Sequence, residues 1–202
     1  ADVQFSLSKG YLKSAKNDSK MADIFLSGSR WTSNKYREVF WYEGKILEVG
    51  LPRCDIFYKS FADIRKKVLN FYHLSKDTKL VLYAPTFRNN NSLDCYDINY
   101  EELNEYLEKY WGNKWKILIR LHPNIQKNQS LIKYNENILN ASKYDEMNEL
   151  IVACDLLITD YSSCMFDAME ARKRVLLYAS DIKDYMKGIK ELSIVIYMEK
   201  LI

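Results

Sequence analysis

The feature that most constrains this chain is a regular alternation of short apolar runs with longer segments of helical periodicity. The runs at 79–84, 115–121 and 156–159 are mostly apolar, as strands buried on both faces of a parallel sheet are. The segments at 61–72 and 100–111 repeat apolar residues every three to four positions, which predicts helices. This order predicts βαβ units and an α/β fold with a Rossmann-like, doubly wound parallel sheet. The other predicted elements are strands at 22–27, 45–49 and 175–178, and helices at 33–40, 147–154 and 163–172.

A domain boundary is expected near Pro52–Ser75, because only two strands precede it and two strands are too few for an independent sheet domain. We therefore divide the chain into a partial domain at 1–56 and a nearly complete domain at 57–202. A further strand is predicted at 194–197.

Composition excludes several classes of protein. Thirty Lys and Arg residues against 27 Asp and Glu residues give a net charge of +3, without the basic stripe that is typical of nucleic-acid binding. No apolar run approaches the length of a membrane span, and the first residues do not resemble a secretory signal, so a cytoplasmic protein is expected. The four cysteines form no CxxC pair, which predicts reduced, buried thiols and no metal site or other cofactor.

Polar residues follow four of the predicted strands, namely those at 79–84, 115–121 and 156–159 and the strand at 175–178, which leads to Ser180 and Asp181. Ligands of open α/β sheets bind beyond the carboxyl ends of the strands, so these residues are candidates for one site. The candidates are Thr86 and Arg88 after the first strand, His122 and Pro123 after the second, and Asp160, Ser162 and Ser163 after the third. The polar, glycine-free stretch at 88–92 is predicted to be a mobile surface loop.

Each candidate has a functional and an ordinary interpretation. Ser162 or Ser163 begins a helix whose free N–H groups suit a phosphate, or merely caps that helix. His122 is a phosphate donor or a general acid or base, or an ordinary histidine at a strand end. Arg88 pairs with a phosphate in bidentate fashion, or is a solvated surface arginine. The chain lacks the Gly-x-Ser-x-Gly elbow of serine hydrolases and the glycine-rich loop of P-loop kinases.

Several motifs occur together and in a fixed order. They are Gly28-Ser29-x-Trp31, Gly50-x-Pro52-Arg53-x-Asp55, Leu82-Tyr83-Ala84-Pro85-Thr86-Phe87-Arg88, Arg120-Leu121-His122-Pro123 and Asp155-Leu156-Leu157-Ile158-Thr159-Asp160-Tyr161-Ser162-Ser163-x-x-Phe166-Asp167. From about residue 22 to residue 185 the chain resembles the CDP-glycerol glycerophosphotransferase family, which comprises teichoic-acid primases and polymerases.

The resemblance implies a GT-B fold, in which two Rossmann-like domains face each other. It implies transfer of glycerol phosphate from CDP-glycerol, or of a related CDP-polyol, to a polyol-phosphate or lipid-linked acceptor with release of CMP. Residues 57–202 would be the donor-binding domain, and 1–56 the end of the amino-terminal domain. His122 matches the family's functional histidine in the donor domain. The positions implied to line or support the donor phosphates are Thr86, Arg88, Pro123, Asp160, Ser162 and Ser163, with Asp160 fixing the loop.

The chain departs from the family pattern in one respect, because the His-Gly-Thr segment of the amino-terminal domain is absent. We therefore expect this chain to bind the donor rather than to catalyse the complete reaction alone. Two alternatives stay open: a GT-B enzyme that uses a nucleotide sugar, with Asp167 or Glu170 holding the ribose, and a non-catalytic nucleotide-binding module. The resemblance also implies peripheral contact of the full-length enzyme with the inner face of a bacterial membrane. Lys13, Lys16 and Lys20 form a modest basic cluster that faces either lipid or water.

Overall fold

The structure is a computed structural model that describes residues 9–86, 88, 94–122 and 132–183. The chain divides into two compact units, Ala1–Asp55 and Ile56–Ile202. Each unit has its own parallel sheet, of two and five strands respectively. The predicted α/β class with a parallel sheet is therefore confirmed.

The first unit contains two helices and two strands. These are α1 (Lys9–Met21), β1 (Ile24–Ser27), α2 (Arg30–Val39) and β2 (Lys45–Glu48). The predicted start of α2 was wrong: the helix begins at Arg30, and the side chain of Ser29 caps it by accepting a hydrogen bond from the N–H of Thr32. Helix α1 was not predicted, because its 13 residues are largely polar and show no continuous apolar stripe.

The second unit follows a 3-10 segment at Pro52–Tyr58 that spans the division between the units. Its helices and strands are α3 (Phe61–Phe71), β3 (Lys79–Tyr83), α4 (Tyr100–Trp111), β4 (Trp115–Ile119), β5 (Ile138–Asn140), α5 (Met147–Ala153), β6 (Leu156–Thr159), α6 (Cys164–Glu170) and β7 (Arg174–Leu177). Short 3-10 turns lie at Asp94–Tyr96 and Ala141–Lys143. The strand predicted at 194–197 lies outside the described residues.

The five strands are all parallel and stand in the order β5-β4-β3-β6-β7. Alternate residues of β3 face opposite sides of the sheet. Leu80 and Leu82 pack in a core with α3, α5 and α6, and Val81 and Tyr83 pack in a second core with α4. Because both faces are covered, β3 reads in the sequence as an unbroken apolar run.

The amino end of β6 is fixed by the carboxylate of Asp155, which lies directly before the strand. Asp155 accepts hydrogen bonds from the backbone N–H of Leu80 at 2.9 Å, from Arg65 Nη2 at 3.0 Å and from Lys79 Nζ at 3.0 Å. Arg65 also donates to the carbonyls of Ala153 and Thr78. Two cations thus pair with one carboxylate at this end of the sheet.

Candidate functional site at the carboxyl end of the central strands

The sheet has one point at which the direction of winding reverses. From β3 the chain proceeds to β4 and β5 on one side, and from β6 it proceeds to β7 on the other. Strands β3 and β6 are nevertheless hydrogen-bonded neighbours, with Tyr83 opposite Ile158. In sheets of this kind, ligands bind in the crevice outside the carboxyl ends of the strands at this point of reversal.

Asp160, directly after β6, ties the two loops together. Its Oδ1 accepts hydrogen bonds from the backbone N–H of Thr86 at 2.7 Å and of Tyr161 at 2.6 Å, and its Oδ2 accepts one from Arg88 Nη2 at 2.7 Å. The side chain is only 1% exposed. One residue earlier, the hydroxyl of Thr159 donates to the carbonyl of Ala84 at 2.7 Å, which joins the strand ends a second time.

Arg88 is buried, so its predicted place in a solvated surface loop was wrong. Its side chain is 8% exposed and lies between two carboxylates. Nε and Nη2 donate to Asp181 at 2.6 and 3.0 Å, and Nη1 donates to the carbonyl of Thr86 at 2.5 Å. The guanidinium also lies 5.2 Å from the ring centroid of Tyr161. Residues 89–92, the rest of that predicted loop, lie outside the described residues.

The side chains of Arg88, Asp160, Tyr161 and Asp181 form one hydrogen-bonded cluster. Contacts within this cluster shift the pKa values of Arg88, Asp181 and Tyr161. Burial lowers the pKa of the Arg88 guanidinium, but the hydrogen bonds to Asp181 and Asp160 outweigh burial, so the pKa is raised. The same hydrogen bond to Arg88 holds the pKa of Asp181 below its usual value. Burial raises the pKa of the Tyr161 hydroxyl, which donates to Asp181 at 3.1 Å. At neutral pH the Arg88 guanidinium and the Asp181 carboxylate are therefore both charged.

The hydroxyl of Thr86 lies within this frame and is buried, and it has no hydrogen-bond partner among the residues that the structure describes. A buried hydroxyl that lacks a partner is unfavourable by about 1–3 kcal/mol, a cost that a ligand would remove by supplying the bond. Thr86 therefore marks the position on the β3 loop where a polar ligand group would be favoured.

Ser162 and Ser163 lie at the beginning of α6, as predicted, but neither acts as a full side-chain cap. Ser163 occupies the capping position, is exposed and makes no side-chain capping bond. Ser162 Oγ accepts a long hydrogen bond of 3.4 Å from the N–H of Cys164. Helix capping alone thus does not account for these hydroxyls.

His122 lies beyond the end of β4, the strand next to β3. Its backbone N–H donates to the hydroxyl of Tyr96 at 3.4 Å, and the Tyr96 ring packs edge-on against Tyr83. The neighbouring Arg120 donates to the carbonyls of Ala141, Tyr144 and Asp145, so the end of β4 is held firmly. Pro123, the other candidate in this motif, lies outside the described residues.

Metal ligands, membrane-spanning helices and cysteines bear on other functional classes. The part of the chain that the structure describes contains no group of three or more His, Cys, Asp or Glu side chains placed to hold a metal ion. Among the same residues, no helix is long and apolar enough to cross a membrane. All four cysteines are buried, as predicted.

Comparison with known proteins places the chain among the teichoic-acid enzymes. A model of the family described as "CDP-Glycerol:Poly(glycerophosphate) glycerophosphotransferase" matches residues 3–200. The chain belongs to this family. The family predicted from the motifs is therefore confirmed by a match that extends over residues 3–200.

Individual relatives of this chain are about 30% identical to it. The teichoic acid poly(glycerol phosphate) polymerase of Staphylococcus epidermidis is 30% identical over 187 residues, which cover 89% of this chain and 26% of that protein. The teichoic acid ribitol-phosphate polymerase TarL of Staphylococcus aureus is 29% identical over 159 residues, which cover 75% of this chain and 28% of that protein. This chain spans less than half the length of these relatives.

Solved structures support the same assignment of fold. The wall teichoic acid polymerase TagF matches with a TM-score of 0.74 and 28% identity, over 94% of this chain and 47% of that one. A TagF histidine variant soaked with CDPG matches with a TM-score of 0.70. The fold of this chain is therefore GT-B-like.

Two residues of the cluster, Tyr161 and Asp181, were not among the predicted site residues. Asp181 follows the strand β7 in the sequence. Its position after a strand, like that of the other candidates, is the signal in the sequence that points to it. Tyr161 also follows a strand, but an aromatic residue beside a buried strand usually belongs to the core, so its position alone does not point to the site.

Proposed function

We propose that the crevice at the carboxyl ends of β3 and β6 binds the diphosphate of a CDP-polyol, with CDP-glycerol as the first candidate. The observation that carries this proposal is the joining of the two strand-end loops by buried Asp160 at the point where the sheet reverses direction. This frame holds Thr86, whose hydroxyl is buried without a partner, beside a loop that leads to exposed Ser163. Family membership and the TagF structure soaked with CDPG support the choice of donor.

In the complete enzyme the reaction would transfer a polyol phosphate to an alcohol. The acceptor hydroxyl attacks the phosphorus that bears the polyol, a new P–O bond forms, and the P–O bond to the CMP leaving group breaks. The proton of the acceptor hydroxyl passes to a base. Phosphoryl transfer of this kind depends on positioning and on neutralising charge that develops on the phosphate oxygens. His122 and the hydroxyls of Thr86, Ser162 and Ser163 are the groups that we assign to the donor phosphates.

The two units would contribute differently. We assign 57–202 to the donor-binding domain, and 1–56 to the end of an amino-terminal domain that carries the acceptor. The acceptor would be a polyol-phosphate polymer or a lipid-linked primer. Its lipid would place the full-length enzyme peripherally on the inner face of the membrane. Lys13, Lys16 and Lys20 are all exposed on α1 and are available for contact with anionic headgroups.

Ribitol is the second candidate for the polyol, because the relatives include a ribitol-phosphate polymerase at nearly the same identity as the glycerol enzymes. A nucleotide sugar is a less favoured donor. Asp167 and Glu170, the residues that would hold its ribose, lie on α6, half-buried and exposed respectively.

Calorimetric titration with CDP, and with UDP as competitor, tests the proposal. His122→Asn is expected to weaken CDP binding about 10- to 100-fold, because a hydrogen bond to a charged group is worth about 1.5–3 kcal/mol. Ser163→Ala is expected to weaken it about tenfold on the same grounds.

His73→Asn is the matched control, since His73 lies between α3 and β3 at the opposite end of the sheet. Its backbone φ of 54° is one that asparagine tolerates. Equal binding of CDP by wild type and His122→Asn, or equal affinity for UDP and CDP, would contradict the proposal.

A further inference from the structure

Most of the hydrogen-bonding capacity of the Arg88 guanidinium is already used within the protein. A guanidinium carries five N–H groups. Nε and one N–H of Nη2 bind Asp181, the other N–H of Nη2 binds Asp160, and Nη1 binds the carbonyl of Thr86. A phosphate in the crevice therefore cannot take a bidentate grip on Arg88 unless one of these partners leaves.

The two carboxylates differ in how easily they could leave. Asp160 is 1% exposed and is also bound to two backbone N–H groups, so its displacement would separate the two loops. Asp181 is 37% exposed, and its side chain is bound by Arg88 and by the hydroxyl of Tyr161. Asp181 is therefore the partner on the solvent side that can exchange.

The form of the Asp181 contact is the form that a phosphate would take. Its two oxygens lie against Nε and Nη2 of Arg88, which is one of the edges with which arginine grips carboxylates and phosphates alike. With Asp181 in place the cluster holds one positive and two negative charges, which repels an incoming phosphate. Without Asp181 the charges of Arg88 and Asp160 balance, and the Nε–Nη2 edge is open.

We infer that Asp181 occupies, in the free protein, the position on Arg88 that a phosphate of the nucleotide donor takes when it binds. This inference rests on the proposed function of the crevice. Donor binding would then be an exchange of one oxyanion for another on a fixed guanidinium. The apparent affinity for the donor is reduced by the fraction of molecules in which Asp181 is seated. Because the hydrogen bond from Arg88 lowers the pKa of Asp181, the carboxylate is charged at neutral pH and competes there with the donor phosphate for Arg88.

The decisive experiment is a titration of Asp181→Asn with CDP. Asparagine keeps the shape of the side chain and loses its charge, so CDP is expected to bind about tenfold more tightly than it binds to wild type. Inorganic pyrophosphate is expected to show the same gain, and cytidine, which has no phosphate, none. Asp77→Asn removes the same charge from an exposed residue before β3, at the opposite end of the sheet, and is expected to leave the CDP affinity unchanged.

A double-mutant cycle separates exchange from simple charge repulsion. Arg88→Lys keeps the positive charge and loses the fork, so the gain from Asp181→Asn should vanish in that background. A gain that persists undiminished there would overturn the inference, as would an Asp181→Asn protein that binds CDP equally or more weakly. If Asp181→Asn does not fold, Tyr161→Phe provides a second variant. It removes the other group that binds Asp181, and tighter CDP binding is again expected.

Failure of the inference can be told apart from failure of the proposed function. Wild type that binds CDP, with no gain in Asp181→Asn, refutes only the exchange. Folded wild type and folded Asp181→Asn that both fail to bind CDP and pyrophosphate refute the donor site itself.

Discussion

The two ends of strand β6 are held by similar devices that carry opposite charge balance. Asp155 precedes the strand and Asp160 follows it, and each accepts a backbone N–H from the β3 segment and a hydrogen bond from an arginine. At the amino end one carboxylate meets two cations, Arg65 and Lys79. At the carboxyl end one cation meets two carboxylates, and a buried hydroxyl lacks a partner.

The difference supports our proposal that the carboxyl end binds a ligand, whereas the contacts at the amino end serve the fold. Asp155 accepts hydrogen bonds from donors of the fold that would otherwise lack an acceptor, among them the backbone N–H of Leu80. The carboxyl end instead has an exposed carboxylate on Arg88 and an unsatisfied Thr86 hydroxyl. Departures from full satisfaction of buried polar groups are expected at functional sites.

The largest effect that tests this comparison is expected from Asp160→Asn. The substitution leaves buried Arg88 beside an amide, and removing one partner of a buried ion pair costs about 3–5 kcal/mol of unfolding free energy. Amide hydrogen exchange of β3 and β6 measures this loss within the second unit. Protection of those amides equal to that of wild type would show that Asp160 does not hold the loops.

A smaller effect is expected from Asp155→Asn at the amino end. Asp155 is 22% exposed and its cationic partners are partly solvated, so the expected loss of unfolding free energy is about 1–2 kcal/mol. CDP affinity should be unchanged, because the substitution lies at the far end of the strand. A clear loss of CDP affinity in Asp155→Asn would erase the distinction between the two ends.

The smallest change in stability, of opposite sign, is expected from Thr86→Val. Removing a buried hydroxyl without a partner should raise the unfolding free energy by about 1 kcal/mol and weaken CDP binding about tenfold. Thr159→Val is the matched control, since the Thr159 hydroxyl is bound to the carbonyl of Ala84 and its loss should destabilise the unit. Thermal unfolding with and without CDP gives both quantities. Destabilisation by both substitutions would mean that Thr86 has a partner within the fold.

Much of the fold could be predicted because its central strands are buried on both faces. Helix α4 and strand β6 were predicted with the bounds that they have in the structure, and β3 within one residue. Strand β5 was missed because it has only three residues and polar neighbours, and its pairing with β4 supplies what its own sequence does not. Short edge strands depend on their partners more than on local propensity.

The proposed site residues could be placed at one edge of the sheet from the sequence, because all of them follow strands. The state of Arg88 could not be predicted in the same way. Its burial depends on Asp181, which lies 93 residues later, and on Asp160, 72 residues later. No local pattern encodes such pairings, so the sequence indicated a polar loop where the structure has a buried guanidinium.

These separations along the chain also bear on how the protein folds. β3 can pair with β4 soon after both are synthesised, but its pairing with β6 must close a much longer loop. Non-local pairings slow folding, and here they join the two halves of the sheet. A nascent chain emerging from the ribosome would first form the β3–β4 half with a bare edge. The crevice, its two loops and the Arg88 pairings would arise together, in the last step that commits the sheet to its native order.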